Sequence, residues 1–213
     1  MGDHFQRGGI LCVVSGPSGS GKTTLCRRFS GSDGNACYAV SATTRAPREG
    51  EVDGTDYHFF DRAGFEAGVA RGDFLEHAEV HGNLYGTLKG EVLGHLAAGR
   101  DVLMDIDVQG AALVRASTDP AIREALVDVF ILLPGDEELV RRLQGRGTET
   151  PEQLALRLRN AREESRHWPE YRYTLVSADK ETDFAAFRSI LAGERCRSSR
   201  LRIAFGEPKL PGV

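Results

Sequence analysis

Residues 16–23 read Gly16-Pro17-Ser18-Gly19-Ser20-Gly21-Lys22-Thr23, between the apolar run Ile10-Leu11-Cys12-Val13-Val14-Ser15 and the segment Thr24-Leu25-Cys26-Arg27-Arg28-Phe29. The run before it is short and rich in β-branched residues, as expected of a buried strand in a parallel sheet, and the segment after it reads as a helix. The spacing Gly-x-x-x-x-Gly-Lys-Thr at such a junction is that of a phosphate-cradling P-loop. Its glycines let successive N–H groups turn toward one anion, and the helix N-terminus adds partial positive charge. In such a loop Lys22 reaches the β- and γ-phosphates of a nucleoside triphosphate, and the Thr23 hydroxyl is a ligand for Mg²⁺. Gly16 to Thr24 is therefore the expected triphosphate site. The motif identifies a phosphate donor and leaves the acceptor open.

Composition narrows the remaining choices. The chain has 213 residues, enough for one sizeable core with small inserted modules; 27% of them are charged and 40% hydrophobic, the balance of an ordinary globular protein. A net charge of −4 argues against a dedicated nucleic-acid binder, which usually carries a basic excess. No apolar run approaches the roughly 18 residues of a membrane span, and the first residues lack the apolar centre of a signal peptide. Cys12, Cys26, Cys37 and Cys196 have no metal-ligand spacing and read as reduced, buried fillers of a cytoplasmic protein, with zinc or a disulfide as the alternative.

Beyond the loop, Tyr38-Ala39-Val40-Ser41-Ala42 is expected as one strand running into a polar loop where Arg45 and Arg48 bracket Pro47. Pro47 holds Ala46 extended, so the two guanidinium groups are placed to clamp a phosphate; a solvated loop with Arg–Glu pairs is the other reading. Residues 56–60 read as strand, and Asp61 as the cap of a helix through Val69 that carries Gly64 and Gly68, each costing about 1 kcal/mol against alanine. A soft subdomain is expected there. Phe74 to Val80 and Leu84 to Thr87 read as a hairpin that turns Glu76 and Tyr85 to one cleft. A helix then ends at Gly99, where a left-handed residue is expected.

The buried run Asp101–Met104 delivers Asp105 and Asp107 to the strand's carboxyl end, where ligands bind in open α/β sheets. Asp105 suits a second Mg²⁺ anchor; Asp107 suits either a site residue or a helix cap. A strand at 128–133 precedes two helices, 136–142 and 151–166, bearing Arg141, Arg142, Arg146, Arg157, Arg159 and Arg162. These arginines read either as a solvated, salt-bridged face or as a basic lid over polyphosphate. A strand at 173–176 and a closing helix from Thr182 to about Cys196 end the core. The basic stretch after it is expected to fray, with a solvated charge run favoured over an anion or RNA contact.

Together these pieces resemble the guanylate kinase family from Ile10 to about Glu194. The likeness rests on the P-loop, on Ser41-Ala42-Thr43-Thr44-Arg45-Ala46-Pro47-Arg48 with Gly50-Glu51 and Gly54-Thr55-Asp56-Tyr57, and on Phe74-Leu75-Glu76 with His81-Gly82-Asn83 and Tyr85-Gly86-Thr87. Asp105-Ile106-Asp107-Val108-Gln109-Gly110, and Arg142-Leu143 with Arg146-Gly147-Thr148-Glu149-Thr150, complete it. The resemblance implies an α/β P-loop core with a parallel sheet (1–39, 91–136, 168–196), an inserted GMP-binding subdomain (40–90), a helical lid (137–167) and a basic tail (197–213). It implies transfer of phosphate from ATP to GMP, and to dGMP, with Mg²⁺ held by Thr23 and Asp105.

By the same resemblance the GMP phosphate falls to Arg45, Arg48, Tyr57 and Tyr85, and guanine to Ser41, Glu76, Thr87 and Asp107, with Glu51 toward the base and ribose. Lys22, Arg45, Arg142, Arg146 and Arg157 would carry the chemistry. The base chemistry agrees, because guanine shows N1–H and N2 amine donors that a carboxylate accepts together, where adenine would present a lone pair. ATP and GMP are the expected partners, with no nucleic acid, membrane or obligate protein. Three departures stand out: Ser177-Ala178-Asp179 replaces an asparagine-led donor-base loop, Leu84 replaces a tyrosine, and the tail beyond Glu194 has no counterpart. A phosphopeptide-binding scaffold domain of the same shape is the rival reading, and it is expected to lose the P-loop lysine, whereas Lys22 is present.

Overall fold

The computed structural model describes residues 5–80, 82–144 and 151–203. In chain order the strands are β1 Phe5–Arg7, β2 Leu11–Ser15, β3 Ala36–Tyr38, β4 Ser41–Thr43, β5 His58–Phe59, β6 Phe74–Val80, β7 Asn83–Leu88, β8 Asp101–Asp105, β9 Leu126–Leu132, β10 Tyr173–Val176 and β11 Leu201–Ile203. The helices are α1 Lys22–Ser32, α2 Arg62–Arg71, α3 Lys89–Ala97, α4 Val108–Arg115, α5 Pro120–Ala125, α6 Asp136–Gln144, α7 Pro151–Ser165 and α8 Lys180–Arg195.

A five-stranded parallel sheet in the order β10-β9-β2-β8-β3 forms the centre. β2 lies in its middle with every residue buried, which is why its sequence is apolar without alternation. The strand's period of two sends Cys12 and Val14 to one face, against Leu25, Cys26 and Phe29 of α1 and Phe184, Phe187 and Leu191 of α8. Leu11 and Val13 face the other way, toward Val92 and Leu96 of α3, Ala111 and Val114 of α4, and Ile122 of α5. The result is a three-layer α/β core with β2 and the loop after it at the hub.

A second, mixed sheet of order β5-β4-β7-β6 branches from the first. The run expected as one strand at Tyr38–Ala42 is in fact the branch point. Ala39 N–H donates to Leu103 O as the last bond to the core, and Ser41 then opens β4 in the second sheet. α2 is capped by Asp61, whose carboxylate accepts from Gly64 N–H at 2.6 Å. Its glycines are packing requirements as well as weak helix formers: a Cβ on Gly68 would stand 2.9 Å from Phe74 Cε2. The helix therefore seats closely on Phe74, against which its own Phe65 stacks with the rings 4.2 Å apart.

Two expectations about the ends are corrected. Cys12 and Cys26 are buried, but Cys37 is half-buried and Cys196 exposed, so the four are not all core fillers. The basic stretch after the closing helix does not fray before Ile203: a 3-10 turn at Ser198–Arg200 leads into β11, which pairs antiparallel with β1. Arg200 is buried there against buried Glu194, donating to its Oε2 over 3.0 Å, while Tyr173 OH donates to Glu194 Oε1 at 2.8 Å. What read as surface charge is a buried pair whose partner lies six residues back. No helix among the described residues is long and apolar enough to cross a membrane.

Candidate functional site

The loop after β2 takes the conformation its glycines permit, with φ of +150° at Gly16, +84° at Gly19 and +94° at Gly21. Gly16 has a second reason to be glycine, since a Cβ there would stand 2.5 Å from Ile131 O. Lys22, the first residue of α1, curls back so that its ammonium donates to Gly16 O at 2.6 Å and Pro17 O at 3.1 Å. Burial pushes its pKa below the ordinary lysine value, against the pull of the Glu164, Asp105 and Asp107 carboxylates.

At the carboxyl end of β8, Asp105 Oδ2 accepts from Thr23 Oγ1 at 2.5 Å, and Tyr38 OH donates to the other oxygen. A hydroxyl and a carboxylate converging beside the phosphate loop are hard oxygen donors that fit Mg²⁺. Among the described residues no set of three or more acidic, histidine or cysteine side chains gathers elsewhere as a metal cage.

The second sheet supplies the other half of the cleft. Register places Ser41 opposite Thr87 across β4 and β7, and Thr87 opposite Glu76 across β7 and β6. Directly opposed residues share a face, so these three form one row. Thr87 Oγ1 donates to Glu76 Oε1 at 2.8 Å. An irregularity between Phe74 and Glu76 re-aims β6 at this point. Asp107 caps α4, accepting from Gly110 N–H at 2.7 Å. A Cβ placed on Gly110 would meet Glu76 Oε2 at 3.3 Å and Asp107 Oδ1 at 3.4 Å, so the two carboxylates converge over that glycine. Asp107 is thus the helix cap, as one of its two readings from sequence has it, and its carboxylate neighbour is Glu76. Glu76 is 8% exposed; its burial, and then the nearby Asp107 charge, push its carboxyl above the ordinary range.

Two residues along β7 from Thr87, on the same face, Tyr85 stands edge-on to Tyr57 at 6.2 Å. The Arg45 guanidinium lies over Tyr57 at 5.3 Å and donates to Glu51 through two bonds of 2.8 and 2.9 Å. Glu51 also accepts from Arg48 N–H at 2.7 Å, so it braces the arginine loop. The Arg–Glu pair of one reading of that loop is present, and it sets Arg45 beside the two tyrosines. Arg48 itself is exposed.

The paired helices α6 and α7 lie on the P-loop. Arg142 donates to Ser20 O at 3.2 Å and to Ser177 Oγ at 3.0 Å, and is braced by Glu138, whose carboxyl the Arg141 and Arg142 guanidinium groups pull down to about 2. Arg157 reaches Ser18 Oγ at 2.9 Å. Arg146 lies outside the described residues. Sequence reading missed Glu164 on α7, which accepts from Ser18 N–H and faces Lys22, and Tyr38 on Asp105. Nothing local singles out Glu164 among the acids of that charged helix; only the fold turns it to the loop.

The chain is similar to known proteins over most of its length. A family model described as guanylate kinase matches residues 9–194. The chain is 47% identical over 195 residues to a guanylate kinase of Paramagnetospirillum magneticum, covering 92% of this chain and 89% of that one. It is 43% identical over 199 residues to a guanylate kinase of Clostridium perfringens, covering 93% and 90%. Among solved structures, the crystal structure of guanylate kinase from Anaplasma phagocytophilum superposes with a TM-score of 0.69 at 33% identity, covering 92% of each chain.

Proposed function

The chain belongs to the guanylate kinase family, and from that premise we propose that it transfers the γ-phosphoryl group of ATP to GMP, and to dGMP, giving ADP and GDP or dGDP. The bond between the β–γ bridging oxygen and the γ-phosphorus breaks as an oxygen of the acceptor's phosphate bonds that phosphorus, without a covalent enzyme intermediate. The observation that carries the acceptor assignment is the convergence of Asp107 and Glu76 over Gly110, where Glu76 lies in a row with Thr87 and Ser41. Two acidic acceptors match the adjacent donors of guanine, the Ser41 hydroxyl is left to donate to its O6 carbonyl, and adenine's N1 lone pair would face a carboxylate.

Arg45, Arg48, Tyr57 and Tyr85 would hold the acceptor phosphate, with Glu51 keeping the two arginines on one loop. Lys22 would exchange its contacts with Gly16 and Pro17 for the donor phosphates. Thr23 and Asp105 would hold Mg²⁺, which when bound neutralises charge on the phosphate oxygens. Arg142, Arg146 and Arg157 would spread the charge of the moving phosphoryl group and exclude water as residues 137–167 close over the donor and 40–90 over the acceptor. The work is positioning and electrostatics.

An ADP-release assay with ATP and GMP, run on the wild type and Lys22→Ala, tests this. We expect turnover in the wild type and a loss of about a hundredfold or more in the variant. Equal rates in the two proteins would reject it.

A further inference from the structure

We infer that Glu164 is a positioning residue for the phosphoryl transfer: it pins Ser18 of the P-loop to α7 and so seats Arg157, two turns earlier on that helix, against the loop. The inference rests on the reading of the P-loop and Arg157 as parts of the transfer site.

The helix turns one face to the protein. Leu154, Leu158 and Ala161 pack against Leu133 and Leu139 at the three- and four-residue spacing of a helical stripe. Arg157 and Glu164 flank that stripe and are half-buried, while Arg159, Arg162 and Glu163 between them are exposed. The step from Arg157 to Glu164 is two turns, about 10 Å along the axis, and it returns the chain to the same side. Both side chains meet one residue of the loop: Arg157 donates to Ser18 Oγ at 2.9 Å, and Glu164 accepts from Ser18 N–H. A single helix thus holds Ser18 by its side chain and by its main chain.

Glu164 stands where a carboxylate gains nothing locally. α7 ends at Ser165, so Glu164 lies in its last turn, where the helix carries partial negative charge and disfavours an anion. Burial pushes its carboxyl above the ordinary range, against the pull of the Lys22 ammonium and the Ser18 amide. Its neighbour Glu163 has the ordinary place for an acid on this helix, exposed and accepting from Arg166 at 3.0 Å. What gains is the loop. Lys22 holds the carbonyls of Gly16 and Pro17, and Glu164 holds the amide that follows them, so the front of the loop is fixed from both sides. A guanidinium that is to stabilise a moving phosphoryl group has to be in place before the charge develops, and a small displacement from that place is costly.

A double-mutant cycle on the full chain tests this. Glu164→Ala should lower kcat about tenfold while the KM for GMP stays within about threefold of wild type, the size expected when one hydrogen bond to a charged group is lost. Added to Arg157→Ala, it should lower kcat by no more than about threefold further, because the arginine it positions is already gone. A larger further loss, or wild-type kcat in Glu164→Ala, overturns the inference. Glu164→Gln keeps an oxygen that accepts from Ser18 N–H and should recover most of the kcat; a glutamine variant as impaired as the alanine one overturns the pin. Amide hydrogen exchange on the ligand-free protein reads the same contact without turnover. Ser18 N–H should exchange about tenfold faster in Glu164→Ala than in wild type, and an unchanged rate overturns the inference. Absence of turnover with ATP and GMP in the wild type would count against the proposed function, while the exchange rates would still decide whether Glu164 holds the loop.

Discussion

The Thr87 hydroxyl donates to Glu76 Oε1 over 2.8 Å from the neighbouring strand, which leaves Oε2 turned toward Gly110 and Asp107. One oxygen of the buried carboxylate is fixed in place, and the other is presented to the cleft.

That arrangement predicts a pH dependence of acceptor binding. Only ionised Glu76 accepts both guanine donors, and its carboxyl titrates above the ordinary glutamate range because it is buried and, secondarily, because Asp107 is near. As pH falls through that raised pKa the KM for GMP should climb, while the KM for ATP changes less. Folding has the opposite sign: a carboxyl whose pKa is raised in the folded state binds a proton more readily there, so its ionisation costs stability as pH rises through the window. Glu76→Gln should flatten the acid limb and weaken GMP use by about 2 kcal/mol or more. Steady-state kinetics between about pH 5 and 8 check it; an unchanged KM and kcat in the variant would remove Glu76 from base recognition.

The arginines on α6 and α7 already touch the P-loop, Arg142 at Ser20 O and Arg157 at Ser18 Oγ. If they serve the moving phosphoryl group, Arg142→Ala and Arg157→Ala should each lower kcat by about a hundredfold with only a few-fold change in KM for GMP. Parallel loss in KM with kcat intact would make them binding residues only.

The Glu194–Arg200 pair is remote from the cleft and should matter to stability alone. Burial pushes the Glu194 carboxyl up, but bonds from Tyr173, Arg200 and Arg197 together outweigh it and hold the pKa below the ordinary value. Its stabilising contribution is therefore present above the unfolded-state pKa and is lost as pH falls through the lower folded value. Arg200→Ala should cost about 3 kcal/mol by removing the buried cation of the pair and leaving Glu194 only its more exposed arginines and Tyr173, visible as a lowered Tm at neutral pH, with kcat/KM unchanged at 25 °C. A Tm equal to wild type would contradict it.

Local spacing made the P-loop, the Asp61 cap, the β6–β7 pairing and the Gly99 stop legible, because each is set by residues within a few positions of one another. The Asp119-Pro120 start of α5 was equally local and was passed over. The branch at Ala39 was not legible, since Tyr38–Ala42 is apolar and strand-like on both sides of the break; where the chain leaves the core depends on β8 ending beside it. The β1–β11 ribbon joins residues nearly the whole chain apart, and Arg200 looks like any surface arginine until Glu194 is seen to be buried. In the site, Glu76 and Asp107 stood out through chemistry and a family likeness. Glu164 did not, because its meaning comes from what the fold sets opposite it.

The central claim is that acidic side chains choose the acceptor by its donors. Measuring kcat/KM with ATP for GMP, dGMP, AMP, CMP and UMP tests it most directly. The account predicts GMP and dGMP above the other three by about a thousandfold or more. A best acceptor that is not a guanine nucleotide would contradict it.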